Sequence, residues 1–219
     1  DMQSFTLLRF HIPFLMNFQG SALVIDPDIF QVKRGIEELL DFDFNAHALY
    51  ARRGLQKNSW GSSAMLISCD QLRHWSLDDL IDKLHHGKID YDDLINLRLE
   101  EQPIGELDKK WNEFDEINQN TILLHTTEKI TQPWRAGLNL NSSIPPLLKY
   151  IPRAPLYKLF GKDLTLGREH PHEGISNFFF NELAECIASN IVSTEELDDA
   201  IEKKYIRQDI HHKIRPFKI

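Results

Sequence analysis

The hydrophobic pattern of the first 137 residues alternates between short continuous apolar runs and stretches with helical spacing, which predicts a mixed α/β domain. Apolar runs bounded by glycine, proline or polar residues predict strands at residues 21–26, 45–51, 62–68 and 121–125. Helical spacing predicts helices at residues 4–11, 33–40 and 77–86. Pro13 is expected to end or kink the first helix, because its ring blocks a backbone hydrogen bond to the preceding turn. Ser76 and Gly87 are the residue types that cap the two ends of a helix.

The C-terminal part of the chain has a different pattern. Residues 138–155 are rich in proline and asparagine, a composition that resists regular structure. Helices are predicted at residues 174–190 and 194–205, the second from the capping-box pair of Ser193 and Glu196. We therefore divide the chain as follows: a catalytic core at residues 1–137, an irregular linker or wrapping segment at 138–173, and a helical appendage at 174–219.

Composition narrows the classes of partner. The 219 residues are 42% hydrophobic and 26% charged, a balance typical of a globular protein. The net charge of -8 argues against nucleic acid, because phosphate recognition needs a basic surface. Cys69 and Cys186 are far apart in sequence and favour a reducing cytoplasm over a disulfide framework. The apolar stretch at residues 5–18 is interrupted by polar residues and predicts no membrane span. The oligomeric state stays open.

Asp26 and Asp28 end the first predicted strand and are separated only by Pro27. If the backbone stays extended through Pro27, both side chains project to the same side and can hold one cation. Mg²⁺ and Mn²⁺ prefer oxygen ligands and are often shared between carboxylates and substrate phosphates. The same pair of residues also occurs in solvated turns and helix caps, so the motif alone leaves that alternative open.

His125 ends the apolar run at residues 121–125, as the aspartates end the earlier run. Its imidazole is therefore expected at the same sheet edge, where open α/β sheets bind ligands. Imidazole suits Mn²⁺ better than Mg²⁺, so Asp26, Asp28 and His125 together favour Mn²⁺ as the cofactor, with Mg²⁺ as the alternative. A single histidine is more often an ordinary surface or core residue. His125 is a candidate ligand only because of its position at the end of a predicted strand.

Five segments, taken in order and spacing, resemble the retaining GT-A glycosyltransferases of family 8, which are related to glycogenin and the bacterial galactosyltransferases. The segments are LLRFHIPFL, ALVIDPDIF, NSWGSSAMLISC, WNEFDE and ILLHTTEKITQPW. The resemblance covers residues 4–134. It implies a GT-A-type nucleotide-diphospho-sugar transferase sandwich, a mixed sheet flanked by helices. The family's first strand and helix, which bind the base and ribose, are expected to precede this sequence.

The resemblance also implies an activity, which is the transfer of a sugar, with retention, from a nucleotide-sugar donor to an acceptor hydroxyl. A UDP-sugar is among the candidate donors, and the acceptor is an unidentified glycan, protein or small molecule. By position, Asp26 and Asp28 look like the family's metal-binding pair and His125 like the histidine that completes the metal site. Arg9 corresponds to the basic residue that reaches the donor's phosphate or sugar, although an ordinary helix-surface arginine is an equal alternative.

Further roles follow from the same resemblance. Asn58, Ser62 and Ser63 look like residues of the donor-sugar pocket, although strand-edge serines are more often structural. Trp111 and Trp134 are candidates for stacking on a sugar, with core packing as the alternative.

The acidic segment around Glu100, Glu101 and Gln102 looks like the region that faces the anomeric carbon. There a carboxylate or amide stabilises an oxocarbenium-like transition state or acts as a nucleophile. A solvated acidic loop is the alternative for these residues.

The loop after His125 departs from the family pattern. It is one residue longer, and Glu128 stands where the family has a glycine, so Lys129 is expected to supply the positive charge for the phosphates. Two other functions therefore stay open: a non-catalytic binding or scaffold protein of the same fold, and a nucleotidyltransferase. His170 and His172 are expected to lie in a surface loop, with metal binding as the alternative.

Overall fold

The computed structural model describes residues 5–44, 47–54, 59–140 and 166–217. The chain forms two compact units. The first comprises Asp1–Glu113 and Asn118–His125, and the second comprises Phe114–Ile117 and Thr126–Ile219. Most of the predicted linker at 138–173 lies outside the described residues, so the division at residues 137 and 173 stays a prediction.

A four-stranded sheet forms the centre of the first unit. Its strands are β1 (Ser21–Ile25), β3 (Leu49–Arg53), β4 (Trp60–Ser68) and β5 (Gly105–Glu106). The order is β1-β4-β3-β5, in which β1 and β3 pair antiparallel with β4 and β5 pairs parallel with β3. Along β4, Met65 and Ile67 join one hydrophobic cluster while Ala64 and Leu66 join another. Both faces of β4 are thus buried, which explains its continuous apolar run.

A second sheet has three short strands. They are β2 (Ile29–Gln31), β6 (Glu113–Phe114) and β7 (Leu123–His125), in the order β2-β7-β6. β2 and β7 are antiparallel, and Ile29 is paired with His125. Residues 26–28 join β1 to β2, so the chain passes from one sheet to the other at the two aspartates.

Helices of the first unit confirm the predicted caps at Ser76 and Gly87 and overturn one predicted helix. They are α1 (Phe5–Leu8), α2 (Ile12–Leu15), α3 (Leu77–His85) and α4 (Tyr91–Ile95). The Ser76 hydroxyl accepts the Asp79 N–H at the start of α3, as its residue type predicts. The α-helical segment is interrupted before Pro13 by a 3-10 helix at Arg9–His11, and Pro13 lies in the first turn of α2, where a missing N–H costs no hydrogen bond.

The helix predicted at residues 33–40 is wrong, since the structure has only a 3-10 helix at Ile36–Leu39. Gly35 precedes it with a φ of 143°, a conformation that favours glycine and cannot continue a helix backwards. A Cβ at this position would also lie 3.0 Å from the side chain of Ile122.

The described residues at the C-terminal end of the second unit form helices. It contains α5 (Glu173–Ala188), α6 (Thr194–Glu202) and α7 (Ile210–Ile214), with apolar side chains of all three packed in one cluster. Ser193 and Glu196 form the predicted capping box of α6. The sheets and helices together confirm the mixed α/β class and the helical C-terminal region.

Candidate metal centre

Asp26 and Asp28 lie in a tight turn between β1 and β2. The Asp26 carbonyl accepts the Ile29 N–H at 3.1 Å, and the Asp26 N–H donates to the Ser63 carbonyl at 2.8 Å. The backbone is therefore not extended through Pro27. Pro27 occupies the second position of a β-turn, for which its fixed φ is well suited. The turn, and not strand alternation, brings the two carboxylates together.

His125 reaches the same place from β7, where its backbone is paired with Ile29. Its Nε2 lies 3.4 Å from Asp28 Oδ1, and its side chain is buried. One ligand atom from each of Asp26, Asp28 and His125 lies within 4.8 Å of the others. Ligands on opposite sides of a small divalent cation are about 4 Å apart, so these three side chains fit one cation. The predicted proximity of the trio is confirmed.

Arg9 is buried against this cluster. Its guanidinium donates to Asp26 Oδ1 at 2.6 Å, to the Ser62 carbonyl at 2.7 Å and to the Ser62 hydroxyl. Burial lowers the pKa of Arg9, an effect that Asp26 opposes. Burial likewise raises the pKa of Asp26, and Arg9 and His125 oppose that rise. Arg9 thus favours the anionic form of Asp26 in a partly desolvated site, a contact that the sequence did not predict.

Asn112 is a member of the site that the sequence did not reveal. It is fully buried, its Nδ2 donates to Ser63 Oγ at 2.9 Å, and its Oδ1 lies 3.0 Å from His125 Nδ1. The Arg52 guanidinium donates to its backbone carbonyl. The segment WNEFDE carries no local signal for this role, because Asn112 is a single polar residue between Trp111 and Glu113.

The predicted donor-pocket serines take part in these contacts. Ser62 accepts from Arg9 and Ser63 accepts from Asn112, so the two neighbouring residues of β4 support opposite sides of the cluster. A role for either hydroxyl toward a sugar stays a prediction. Asn58 lies outside the described residues.

Glu100, Glu101 and Gln102 line a different cavity of ≈ 410 Å³, whose lining does not include the candidate metal ligands among the described residues. Glu100 Oε2 accepts from Trp75 Nε1 at 2.8 Å and lies 3.1 Å from His74 Nε2. The Glu100 side chain is only 3% exposed. The structure therefore does not bring this segment to the aspartates, and its predicted role at the anomeric carbon stays a prediction.

The remaining predicted residues have ordinary surroundings. Lys129 is exposed, and Trp134 packs on Phe179 with ring centroids 5.1 Å apart. Trp111 is buried in a core cluster, as its alternative reading held. The expected surface position is confirmed for His172, which is exposed, and wrong for His170, whose ring is buried and whose Nδ1 accepts the His172 N–H at 3.0 Å.

Comparisons with known proteins give structural matches only. The sequence matches no protein-family model and no curated protein. The structure is similar to the apo form of the glycosyltransferase GlyE of Streptococcus pneumoniae TIGR4, at 18% identity and a TM-score of 0.49, covering 61% of this chain and 39% of GlyE. It is also similar to the galactosyltransferase LgtC solved with donor and acceptor sugar analogs, at 13% identity and a TM-score of 0.45, covering 59% of this chain and 60% of LgtC. The chain thus spans less than two thirds of either protein.

One further observation concerns membranes. Among the helices that the structure describes, each is too short or too polar to cross a bilayer.

Proposed function

We propose that this chain carries the metal-binding half of the donor site of a GT-A-type glycosyltransferase. The enzyme transfers a sugar, with retention, from a nucleotide-diphosphate donor to an acceptor hydroxyl. The observation that carries the proposal is the convergence of Asp26, Asp28 and His125 within 4.8 Å at the passage between two sheets. The order of motifs along residues 4–134 supports the same assignment.

The charges of the site suit a diphosphate. Asp26 and Asp28 contribute two negative charges and Arg9 one positive charge, so the side chains alone leave one net negative charge. The trio would hold a divalent cation, which would supply positive charge to stabilise a leaving diphosphate. Asp26 Oδ1 accepts from Arg9, and Asp26 would hold the cation together with Asp28 and His125. Two carboxylates with one imidazole favour Mn²⁺ over Mg²⁺.

The neighbouring residues keep the ligands in place before a substrate binds. Arg9, which also donates to Ser62, holds Asp26. The β-turn fixes Asp28, and antiparallel pairing with β2 fixes the backbone of His125. Preorganised ligands lose little conformational entropy on binding a cation. This arrangement favours an active metal site over a purely structural role for the aspartates.

The test is a panel of nucleotide sugars incubated with the protein and Mn²⁺, with release of the nucleoside diphosphate as the readout. We expect release with one donor, and loss of at least about a hundredfold in Asp28→Asn, since a metal ion contributes several kcal/mol to stabilising charge in the transition state and this variant weakens its binding. Asp78→Asn, in the exposed first turn of α3, is the matched control and should keep full activity.

Full turnover in Asp28→Asn would show that the metal assignment is wrong. Mn²⁺ binding without nucleoside diphosphate release from any donor would favour the non-catalytic binding protein. Formation of a nucleotide sugar from a nucleoside triphosphate and a sugar phosphate would instead favour a nucleotidyltransferase.

A further inference from the structure

The side chain of Asn112 joins β4 to His125. Its Nδ2 donates to Ser63 Oγ at 2.9 Å, which turns the amide oxygen toward His125 Nδ1 at 3.0 Å. The side chain is completely buried, so bulk water cannot supply the hydrogen bonds that the amide would need in another orientation. The direction of the amide therefore has chemical consequences for the imidazole.

A carbonyl oxygen only accepts hydrogen bonds, so His125 Nδ1 must be the donor in this contact. In the neutral imidazole the other nitrogen, Nε2, then carries the lone pair. Nε2 lies 3.4 Å from Asp28 Oδ1, which is also an acceptor. Two acceptors that face each other at this distance are the arrangement that a shared cation stabilises.

The backbone around Asn112 is fixed as well. The Asn112 N–H donates to the Lys109 carbonyl at 2.9 Å, and the Arg52 guanidinium donates to the Asn112 carbonyl. Arg52 also lies 3.5 Å from the buried carboxylate of Glu113. The amide is thus held by contacts on its side chain and on its main chain, and its direction follows from the fold.

We propose that Asn112 is the positioning residue of the metal centre and sets His125 in the tautomer whose Nε2 binds the cation. Partners of this kind in metalloproteins fix both the tautomer and the ring orientation of a histidine ligand. This inference rests on the proposed metal-dependent function, but it makes a statement about the metal-free protein that can be measured separately.

The first measurement is the ¹⁵N NMR spectrum of histidine-labelled, metal-free protein at mildly alkaline pH, with His125 assigned by comparison with His125→Gln. We expect a protonated Nδ1 and an unprotonated Nε2 in His125 of the wild-type protein. A protonated Nε2 overturns the inference. This readout needs no variant of Asn112 and is therefore independent of how well such variants fold.

The second measurement is Mn²⁺ affinity by calorimetry. Asn112→Ala should weaken binding about 10- to 100-fold, the usual effect of losing the partner of a metal-binding histidine. Asn112→Asp should stay within a few-fold of wild type, because its carboxylate accepts the same Nδ1–H. Asn96→Ala, at the C-terminal cap of α4, is the matched control and should bind Mn²⁺ as wild type does.

The outcomes separate the inference from the proposed function. Equal Mn²⁺ affinity in wild type and Asn112→Ala overturns the role of Asn112 and leaves the metal centre standing. Failure of Asn112→Asp to restore binding also counts against the inference. Absence of Mn²⁺ binding in the wild-type protein overturns both.

Discussion

Arg9→Met tests how much the buried guanidinium of Arg9, which pairs with Asp26, contributes to the stability of the first unit. Arg9 is 5% exposed and donates hydrogen bonds to Asp26 and to two oxygens of Ser62. Methionine fills a similar length with apolar atoms but donates to none of them. In the variant the Asp26 carboxylate stays partly buried beside Asp28 but has lost its ion pair with the Arg9 guanidinium.

The magnitude follows from the burial of the two partners. Removing one member of a buried ion pair costs about 3–5 kcal/mol, because the other charge stays desolvated. Asp26 keeps 21% of its side chain exposed, so water compensates part of the loss. We therefore expect the free energy of unfolding to fall by about 3 kcal/mol, at the lower end of that range.

Urea unfolding followed by tryptophan fluorescence and circular dichroism measures this change. Arg34→Met, an exposed arginine in the same unit, is the control and should change stability by less than about 0.5 kcal/mol. In the double variant Arg9→Met with Asp26→Asn the remaining partner is neutral, so the combined loss should be smaller than the sum by about 1 kcal/mol or more. Additive losses would refute the coupling, and an Arg9→Met variant as stable as Arg34→Met would refute the burial argument.

Two further predictions concern the second unit. Hydrogen bonds from Arg207, with help from Lys213, lower the pKa of Glu169 from 4.5 to about 2. This stabilisation is complete above pH 4.5 and is lost as the pH falls toward 2. Because the carboxylate is half exposed, the loss should be about 1 kcal/mol, and Glu169→Gln should show a flatter decline of urea midpoint over that window. A parallel decline would contradict the role of Glu169. Ser193→Ala removes one half of the capping box of α6 and should cost about 1 kcal/mol, whereas an unchanged midpoint, with exposed Thr194→Ala as control, would contradict it.

Several features of this protein were determined by local sequence. The continuous apolar run of β4 predicts a strand that is covered on both faces in any fold. Two hydrophobic clusters do cover the two faces of β4. The caps at Ser76 and Ser193 depend on residues three positions away, so their residue types suffice to place them. The aspartate pair and the strand-ending His125 were likewise visible, because each directly follows an apolar run.

The tertiary structure decided how these residues meet. Asp26 pairs with Arg9, and His125 contacts Asn112. Both contacts join elements that are distant in sequence, so no local spacing encodes them. Glu100 turns instead toward Trp75 in a separate cavity, which the acidic composition of its segment could not reveal. Sequence thus specified which side chains have the chemistry of a metal ligand. Only the packing of β4 against the residues on its two sides determined which of them are held together, and with what partners.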